Sequence, residues 1–289
     1  MEWVDLLING VCLGGLYGVL GVGLALVTGV MRIINVSHGE FIVLAAFMGL
    51  GLSTALPGVD PLILMIPVAI TFFFVGWGLQ AVLLNRVTGT PDVLVPILLT
   101  FGFSIVLRNL MAAIFGADVH SITSGALARM RIEAFGLSIG VLPLVTLGIA
   151  IFFFVALQLV ISYTRFGRVV RATADNPEVA RLMGVTPRRI YNIVMGLALA
   201  LAAIAGMLLA MRGTFTPFSG ISNLLVAFEV IVLGGFGSFW GALIGGLALG
   251  IAELLGLKLA PNSGLIAVHL VFFAVVLLRP NGLFGVAVP

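Results

Sequence analysis

Long apolar stretches without charged residues alternate with short polar segments along this sequence. The stretches cover residues 6–31, 41–59, 62–85, 93–107, 134–164, 190–211, 230–252 and 259–278. A helix needs about 20 apolar residues to cross roughly 30 Å of hydrocarbon, and most of the stretches are long enough. They show no strict alternation, which favours helices over the strands of a membrane barrel. The pattern predicts an all-α, polytopic membrane protein, one domain over residues 1–289, with eight or nine spanning helices.

The choice between eight and nine helices depends on the run Gly-Gly-Phe-Gly-Ser at residues 234–238. This run allows a long segment to break into a short helix over 224–233 and a second helix over 239–255. Broken helices are tolerated at membrane depth where protein or a watery cavity surrounds them. Two crossings place Arg279 and the tail in the cytoplasm, whereas one crossing places them outside. The charge of Arg279 favours two crossings.

Composition supports the membrane class and excludes several others. The chain is 61% hydrophobic and 9% charged, against about 45–50% and about 25% in typical soluble domains. The single cysteine, Cys12, excludes an intramolecular disulfide. The three scattered histidines predict no metal site. No Gly-Lys-Ser/Thr run of a Walker loop is present, so we expect no nucleotide hydrolysis by that route in this chain.

Arginine placement sets the predicted orientation. The segment 164–190 carries six arginines against two acidic residues, so the positive-inside rule predicts that it is cytoplasmic. Counting back over five helices places the N-terminus outside. Its Met-Glu-Trp-Val-Asp start lacks the positive region of a signal peptide, so we expect the first helix to be retained. Arg32 and Arg86 then lie in the cytoplasm, whereas Arg129 and Arg131 lie outside, against the rule.

Glycines four residues apart recur in two parts of the chain. They are Gly10, Gly14 and Gly18, then Gly237, Gly241 and Gly245, and also Gly246 and Gly250. Small residues at this spacing let helix backbones approach closely in lipid. The pattern therefore predicts close helix packing, or alternatively helices that slide or pivot during a transport cycle.

The cytoplasmic segment contains the signals of a short, capped helix. Asp175 or Asn176 is suited to its N-cap, Pro177 to its first turn and Gly184 to its C-terminal stop. Thr186 with Pro187 is then predicted to cap the next helix, which enters the membrane. The apolar residues Val179, Leu182 and Met183 form one face, flanked by Arg181. Such a helix is either an interfacial connector or a docking element for a soluble partner.

Four stretches of the sequence resemble the permeases of ABC importers. Residues 174–185, Ala-Asp-Asn-Pro-Glu-Val-Ala-Arg-Leu-Met-Gly-Val, resemble the coupling loop of these proteins. Residues 32–41, Arg-Ile-Ile-Asn-Val-Ser-His-Gly-Glu-Phe, 234–242, Gly-Gly-Phe-Gly-Ser-Phe-Trp-Gly-Ala, and 279–285, Arg-Pro-Asn-Gly-Leu-Phe-Gly, resemble segments of branched-chain amino-acid permeases. Together they resemble the leucine/isoleucine/valine permease subunit of the H type. Val36 and Ser37 depart from the common Phe-Ala or Met-Ala, which leaves the substrate open.

The resemblance implies a type II ABC importer permease in a bacterial or archaeal cytoplasmic (inner) membrane. It implies four partners: a second, related permease in a heterodimer, two cytoplasmic ATPase subunits and an extracytoplasmic binding protein. This chain then binds no cofactor, and the partner subunits use the ATP that drives alternating access. The residues implied in ATPase coupling are Asp175, Asn176, Pro177, Glu178, Ala180, Arg181 and Gly184.

Polar residues at membrane depth are candidates for the transport path or gate, since ionisable side chains within spans are usually functional. The polar candidates are Asn35, Ser37, His38, Glu40 and Glu229, and the glycine run adds Gly234, Gly235 and Gly237. The alternative role of such groups, including Arg108 and Glu253, is a buried pair, a helix cap or an interfacial anchor. Asn35 or Ser37 is also suited to cap a helix beginning at Gly39 or Glu40.

Two other functions remain open from the sequence, and a third lacks the residues that it would need. Urea or short-chain amide permeases share the same motifs. An ion-coupled secondary transporter would use Glu229 or Glu253 and would need neither ATPase partners nor the capped cytoplasmic helix. An intramembrane enzyme would need paired carboxylates or a histidine-rich metal site, and the scattered acids and histidines predict neither.

Overall fold

A computed structural model describes residues 2–90, 92, 94–123, 130–134 and 137–284 of the chain. Its helices are α1 (Glu2–Met31), α2 (His38–Ala55), α3 (Pro61–Val82), α4 (Leu94–Phe115), α5 (Val141–Tyr163), α6 (Arg165–Asp175), α7 (Pro177–Leu182), α8 (Pro187–Arg212), α9 (Gly220–Gly234), α10 (Phe239–Leu259) and α11 (Gly264–Leu278). Short 3-10 turns lie at Leu84–Arg86 and Pro217–Ser219, and two strands, β1 (Arg131–Ala134) and β2 (Leu137–Gly140), precede α5.

The spanning helices agree with the predicted number. Within the described residues, eight helical segments have 18 or more residues and are apolar enough to cross a membrane, and α11 is a shorter apolar helix of 15 residues. The segment around the glycine run is broken as the two-crossing alternative predicted, although α9 begins at Gly220 rather than near residue 224 and α10 continues to Leu259.

Helices α1 and α8 form the centre of the bundle. Almost all of α1 is buried, and α8 is buried along most of its length between α1, α2 and α3. Helices α4 and α5 expose most of their surface, and the exposed side chains are predominantly apolar, such as Leu98, Phe101 and Phe152. In a membrane protein these outward faces contact lipid or another subunit, because water would not solvate them.

The closest helix pair is α1 with α10, which run antiparallel. A Cβ placed on Gly10 would stand 3.0 Å from the Cα of Ile251, and one on Gly250 would lie 2.6 Å from the carbonyl oxygen of Gly10. Real Cβ atoms essentially never approach backbone as closely as 2.6 Å, so only glycine fits at position 250, and the 3.0 Å at Gly10 is tighter than most real contacts. The prediction of close helix packing from the glycine spacing is confirmed for this pair.

The tail after α11 lies at the arginine-rich end of the bundle. The Leu283 amide donates to the Leu233 carbonyl at 2.8 Å, and the Phe284 amide donates to the Gly234 carbonyl at 3.2 Å. Gly237, just beyond α9, packs against Gly29 near the end of α1 that leads to Arg32. Arg279 is therefore on the same side as the loop 164–189, as predicted for two crossings.

A small β-structure at the opposite end was missed by the sequence analysis. β1 and β2 pair antiparallel, with Arg131 opposite Gly140. Next to them the chain forms a bridge between His120 and Phe215, with N–O distances of 2.9 and 2.8 Å. Four-residue strands give too short an alternation to stand out beside long apolar runs. Arg131 lies at this end as predicted, whereas Arg129 and Gly285 are outside the described residues.

Candidate functional site

The short helix α7, in the arginine-rich segment, is fixed at both ends by local hydrogen bonds. The Asn176 side chain is the N-cap, and its Oδ1 accepts from the amides of Glu178 at 3.0 Å and Val179 at 3.1 Å. Asp175 instead ends α6, so of the two predicted caps only Asn176 acts. Pro177 occupies the first turn, where its fixed φ suits a helix start and its missing amide hydrogen is not needed.

The other end of α7 closes as the sequence predicted. Gly184 has φ of +84°, its amide donates to the Arg181 carbonyl at 2.9 Å, and the Val185 amide donates to the Ala180 carbonyl at 3.1 Å. These two bonds form a Schellman motif, which needs a left-handed residue and so favours glycine. Thr186 precedes α8, but its side chain makes no capping bond, so the prediction that Thr186 caps this helix was wrong.

Helix α7 presents an exposed apolar face. Leu182 is 86% exposed, Met183 81% and Val179 53%, whereas Ala180 is buried against the protein. Beside this face, a groove of about 360 Å³ runs between α6 and α7. Exposed leucine and methionine on a rigid helix are typical anchors of a protein interface. We call Val179, Leu182 and Met183 the coupling face.

Helix α6 connects the coupling face to the membrane helices. The side chain of Thr164 caps α6 by accepting from the Gly167 amide at 3.0 Å. Arg171 donates to the Ile161 carbonyl at the end of α5. The Arg32 guanidinium, just after α1, donates to the Ala174 carbonyl at 3.5 Å. Arg32 has φ of +54°, which is uncommon for a residue with a side chain.

The segment between α1 and α2 forms a buried turn built on Asn35. Its Oδ1 accepts from the Ser37 amide at 3.1 Å and from the Ser37 hydroxyl at 2.6 Å. Asn35, Ser37 and His38 are all fully buried. Helix α2 begins at His38, one residue earlier than predicted, and neither Asn35 nor Ser37 makes a side-chain cap to it. The polar side chains therefore stabilise the turn itself.

Two candidates at the start of α2 contact neighbouring helices. The Nε2 of His38 lies 3.2 Å from the Leu20 carbonyl in α1, which requires the proton on that nitrogen. The Glu40 side chain is 2% exposed, and its Oε1 accepts from Nε of Arg108 at 3.0 Å and from Nη2 at 2.6 Å. Glu40 also touches Gly220, where α9 begins. The start of α2 thus joins α1, α4 and α9.

Comparisons with known proteins agree with this arrangement. Residues 6–279 match the family model described as "Branched-chain amino acid transport system / permease component". The chain belongs to this family. It is therefore a multi-pass membrane permease component, with the ABC importer function that the four sequence stretches implied.

Similar proteins extend over nearly the whole permease chain. It is 31% identical to the high-affinity branched-chain amino acid transport system permease protein LivH of Escherichia coli K12, covering 99% of this chain and 96% of that one. It is 28% identical to BraD of Pseudomonas aeruginosa, covering 98% and 96%. A solved structure of PsaBC from Streptococcus pneumoniae, in complex with Fab, shares the fold, with a TM-score of 0.52, 14% identity and coverage of 98% and 94%.

The glycine candidates of this permease form the turn between α9 and α10. Gly235 and Gly237 have φ of +97° and +75°, which side-chain-bearing residues rarely adopt. Gly234 ends α9 and lies against Gly241. The turn is at the arginine-rich end of the bundle rather than at mid-depth. The amides of the tail residues Leu283 and Phe284 donate to carbonyls in the last turn of α9. The break therefore lies at the end of the bundle and does not leave free backbone groups at membrane depth, which the sequence had left possible.

Two further acids within the spans, Glu229 and Glu253, have side-chain partners on other helices. The Oε1 of Glu229 in α9 lies 2.5 Å from Nδ1 of His269 in α11, and the Tyr17 hydroxyl in α1 donates to Glu253 in α10. Arg108, Glu253 and Glu229 therefore have the geometry of paired groups, and a pair was one of the alternative roles given for such groups. Across the part of the chain that the structure describes, no group of three His, Cys, Asp or Glu side chains is placed to hold a metal ion.

Sequence reasoning identified most of these residues but not which of them meet. Glu40 and Arg108 are 68 positions apart, and Glu229 and His269 are 40 apart, so no local spacing connects them. It also missed Arg212 at the last turn of α8, which lines a cavity together with Asn223. A lone arginine ending an apolar helix resembles an interfacial anchor, and nothing in the pattern distinguishes the two roles.

Proposed function

We propose that this permease imports branched-chain or related amino acids as one of two permease subunits in a heterodimer. Two cytoplasmic ATPases bind at the loop 164–189, and an extracytoplasmic binding protein delivers the substrate. This proposal is supported by relatives named as high-affinity branched-chain amino acid permeases that align over nearly their full length. The location is a bacterial or archaeal cytoplasmic membrane. ATP is used by the partner subunits, and this chain binds no cofactor of its own.

The exposed coupling face supports ATPase docking more strongly than any other feature. Leu182 and Met183 are more than 80% exposed on a helix that is capped at both ends. A solvated connector gains nothing from large apolar side chains in this position. Glu178 and Arg181 add charge at the rim of the face, where charged residues select a partner and its orientation.

Motion of the ATPases would reach the membrane through two polar contacts of α6. Arg171 connects α6 to the end of α5, and Arg32 connects it to the segment that leads into the buried Asn35 turn. The turn then joins α2, and Glu40 joins α2 to α4. Displacement of α6 and α7 would therefore move the start of α2 against α4 and α9, which is the step we propose for alternating access.

Substitution of the coupling face tests this proposal. Leu182→Asp should reduce ATPase subunits retained on the purified complex and ATP-driven leucine uptake by at least about tenfold, since a buried interface anchor contributes about 2 kcal/mol. Leu259→Asp is the matched control, because Leu259 is 82% exposed at the opposite end of the bundle. Equal retention of the ATPases by both variants would contradict docking at α7, as would unchanged uptake by Arg181→Glu.

The substrate is tested separately in proteoliposomes holding the complete assembly and internal ATP. Uptake of leucine, isoleucine and valine is expected, with no comparable uptake of urea. Uptake should stop when the ATPases carry an inactivated Walker lysine. Urea uptake in place of leucine would overturn the substrate, and leucine uptake without ATPase subunits would favour an ion-coupled transporter.

A further inference from the structure

A cavity of about 340 Å³ lies between α1, the end of α8 and the start of α9, at the end opposite the coupling face. Its lining combines the apolar side chains of Leu13, Leu16 and Leu209 with the polar side chains of Arg212 and Asn223. A lining with apolar and cationic groups suits a small molecule that carries both a hydrocarbon group and an anionic group.

Two buried hydrogen-bond donors of this cavity have no acceptor. Nη1 of Arg212 and Nδ2 of Asn223 are both inaccessible to solvent and make no hydrogen bond to any described residue. Asn223 as a whole is 9% exposed. An unsatisfied buried donor costs free energy, so a native structure normally supplies a partner for it. Both free atoms are donors, so the missing partner is an acceptor. The charge of Glu253 acts on Arg212, but Glu253 is not part of the cavity lining and makes no hydrogen bond to Nη1, so an anionic group in the cavity would fit.

Arg212 also lines a second cavity, of about 400 Å³. This cavity is lined by Asn9 and by Arg131 of strand β1. Arg212 therefore lines both cavities, one shared with Arg131 and the other with Asn223. Arginines on the outer side oppose the positive-inside rule, but a basic mouth attracts an anionic group and guides it inward.

We propose that Arg212 and Asn223 form a transient site for the α-carboxylate of the transported amino acid. Arg212 would hold the carboxylate by charge-assisted hydrogen bonds, and Asn223 would donate to it. The leucine side chains of the lining would pack against the branched side chain. The site is weak, because a transporter that binds its substrate tightly releases it slowly. This inference rests on the proposed function, since it takes an amino acid as the substrate.

Saturation-transfer NMR on the complete transporter complex in nanodiscs, without the binding protein, tests the site. Leucine at millimolar concentration should receive saturation, and leucinol, which lacks the carboxylate, should receive about tenfold less. Arg212→Gln should lower the leucine signal about tenfold, and Arg212→Lys should lower it less, because it keeps the charge. Arg86→Gln is the matched control, since Arg86 is exposed at the cytoplasmic end.

The outcomes separate this inference from the proposed function. Equal signals for leucine and leucinol on the wild-type complex would overturn the site, and this comparison needs no variant to fold. Leucine uptake and leucine signal that both persist in an assembled Arg212→Gln complex would also overturn it, while leaving the proposed function intact. A wild-type complex that takes up no branched-chain amino acid would overturn both.

Discussion

Removal of the Arg108 guanidinium should destabilise the permease by about 3–5 kcal/mol, because it leaves the Glu40 carboxylate buried without its partner. Glu40 is 2% exposed and accepts two bonds from Arg108, at 3.0 and 2.6 Å. Two unit charges about 4 Å apart attract by about 4 kcal/mol at an effective dielectric constant of about 20. The other oxygen, Oε2, has no partner among the described residues, so no neighbour replaces the lost bond.

A double-mutant cycle distinguishes this pair from two independent polar groups. Arg108→Gln leaves a buried charge, whereas Arg108→Gln combined with Glu40→Gln leaves two neutral amides able to bond to each other. The double variant should therefore be more stable than the sum of the single effects predicts, with a coupling energy on the order of 1–3 kcal/mol.

Thermal unfolding of the purified protein in one detergent provides the measurement. Each kcal/mol shifts Tm by about 2–4 °C in a chain of about 150–250 residues, so Arg108→Gln should lower Tm by on the order of 10 °C. Arg86→Gln, the same change at an exposed position, should shift it little. If the two variants unfold at the same temperature, or if the single effects simply add, the pair does not carry the energy assigned to it.

Three further substitutions address the backbone and the coupling helix. Gly237→Ala should destabilise the protein by about 1–2 kcal/mol in thermal unfolding, since its φ is +75°. Gly250→Val should lower the free energy of unfolding by more, because its Cβ would overlap the backbone of α1. The same changes at Gly148, which faces open space, are the control for both. A control protein as unstable as the variants would refute the packing argument. Asn176→Ala should lose about 1 kcal/mol of cap energy and speed hydrogen exchange of the Glu178 and Val179 amides about fivefold. Asn176→Asp should keep the slow exchange, and equal rates in both variants would contradict the cap.

The sequence was sufficient where the physics is local or depends on composition. Apolar length predicted the spans, and the glycine run allowed the break between α9 and α10 as one of two alternatives. Pro177 and Gly184 predicted the ends of α7, and Asn176 was one of the two predicted caps. Each of these features depends on residues within one or two helical turns. The same information did not show that Thr186 lacks a capping bond or that α2 begins at His38, because these depend on a change of one or two backbone angles.

The sequence by itself determined the membrane class and the capped ends of α7, and it predicted the orientation and the face of α7 that we propose for docking. Only the tertiary structure decided which intramembrane polar groups meet, pairing Glu40 with Arg108 and Glu229 with His269. It also brought Arg212 and Asn223 to one cavity. Burial of a charged group sets the free-energy cost of leaving it unpaired. The identity of its partner depends on how helices distant in sequence cross, and no spacing along the chain encodes that crossing.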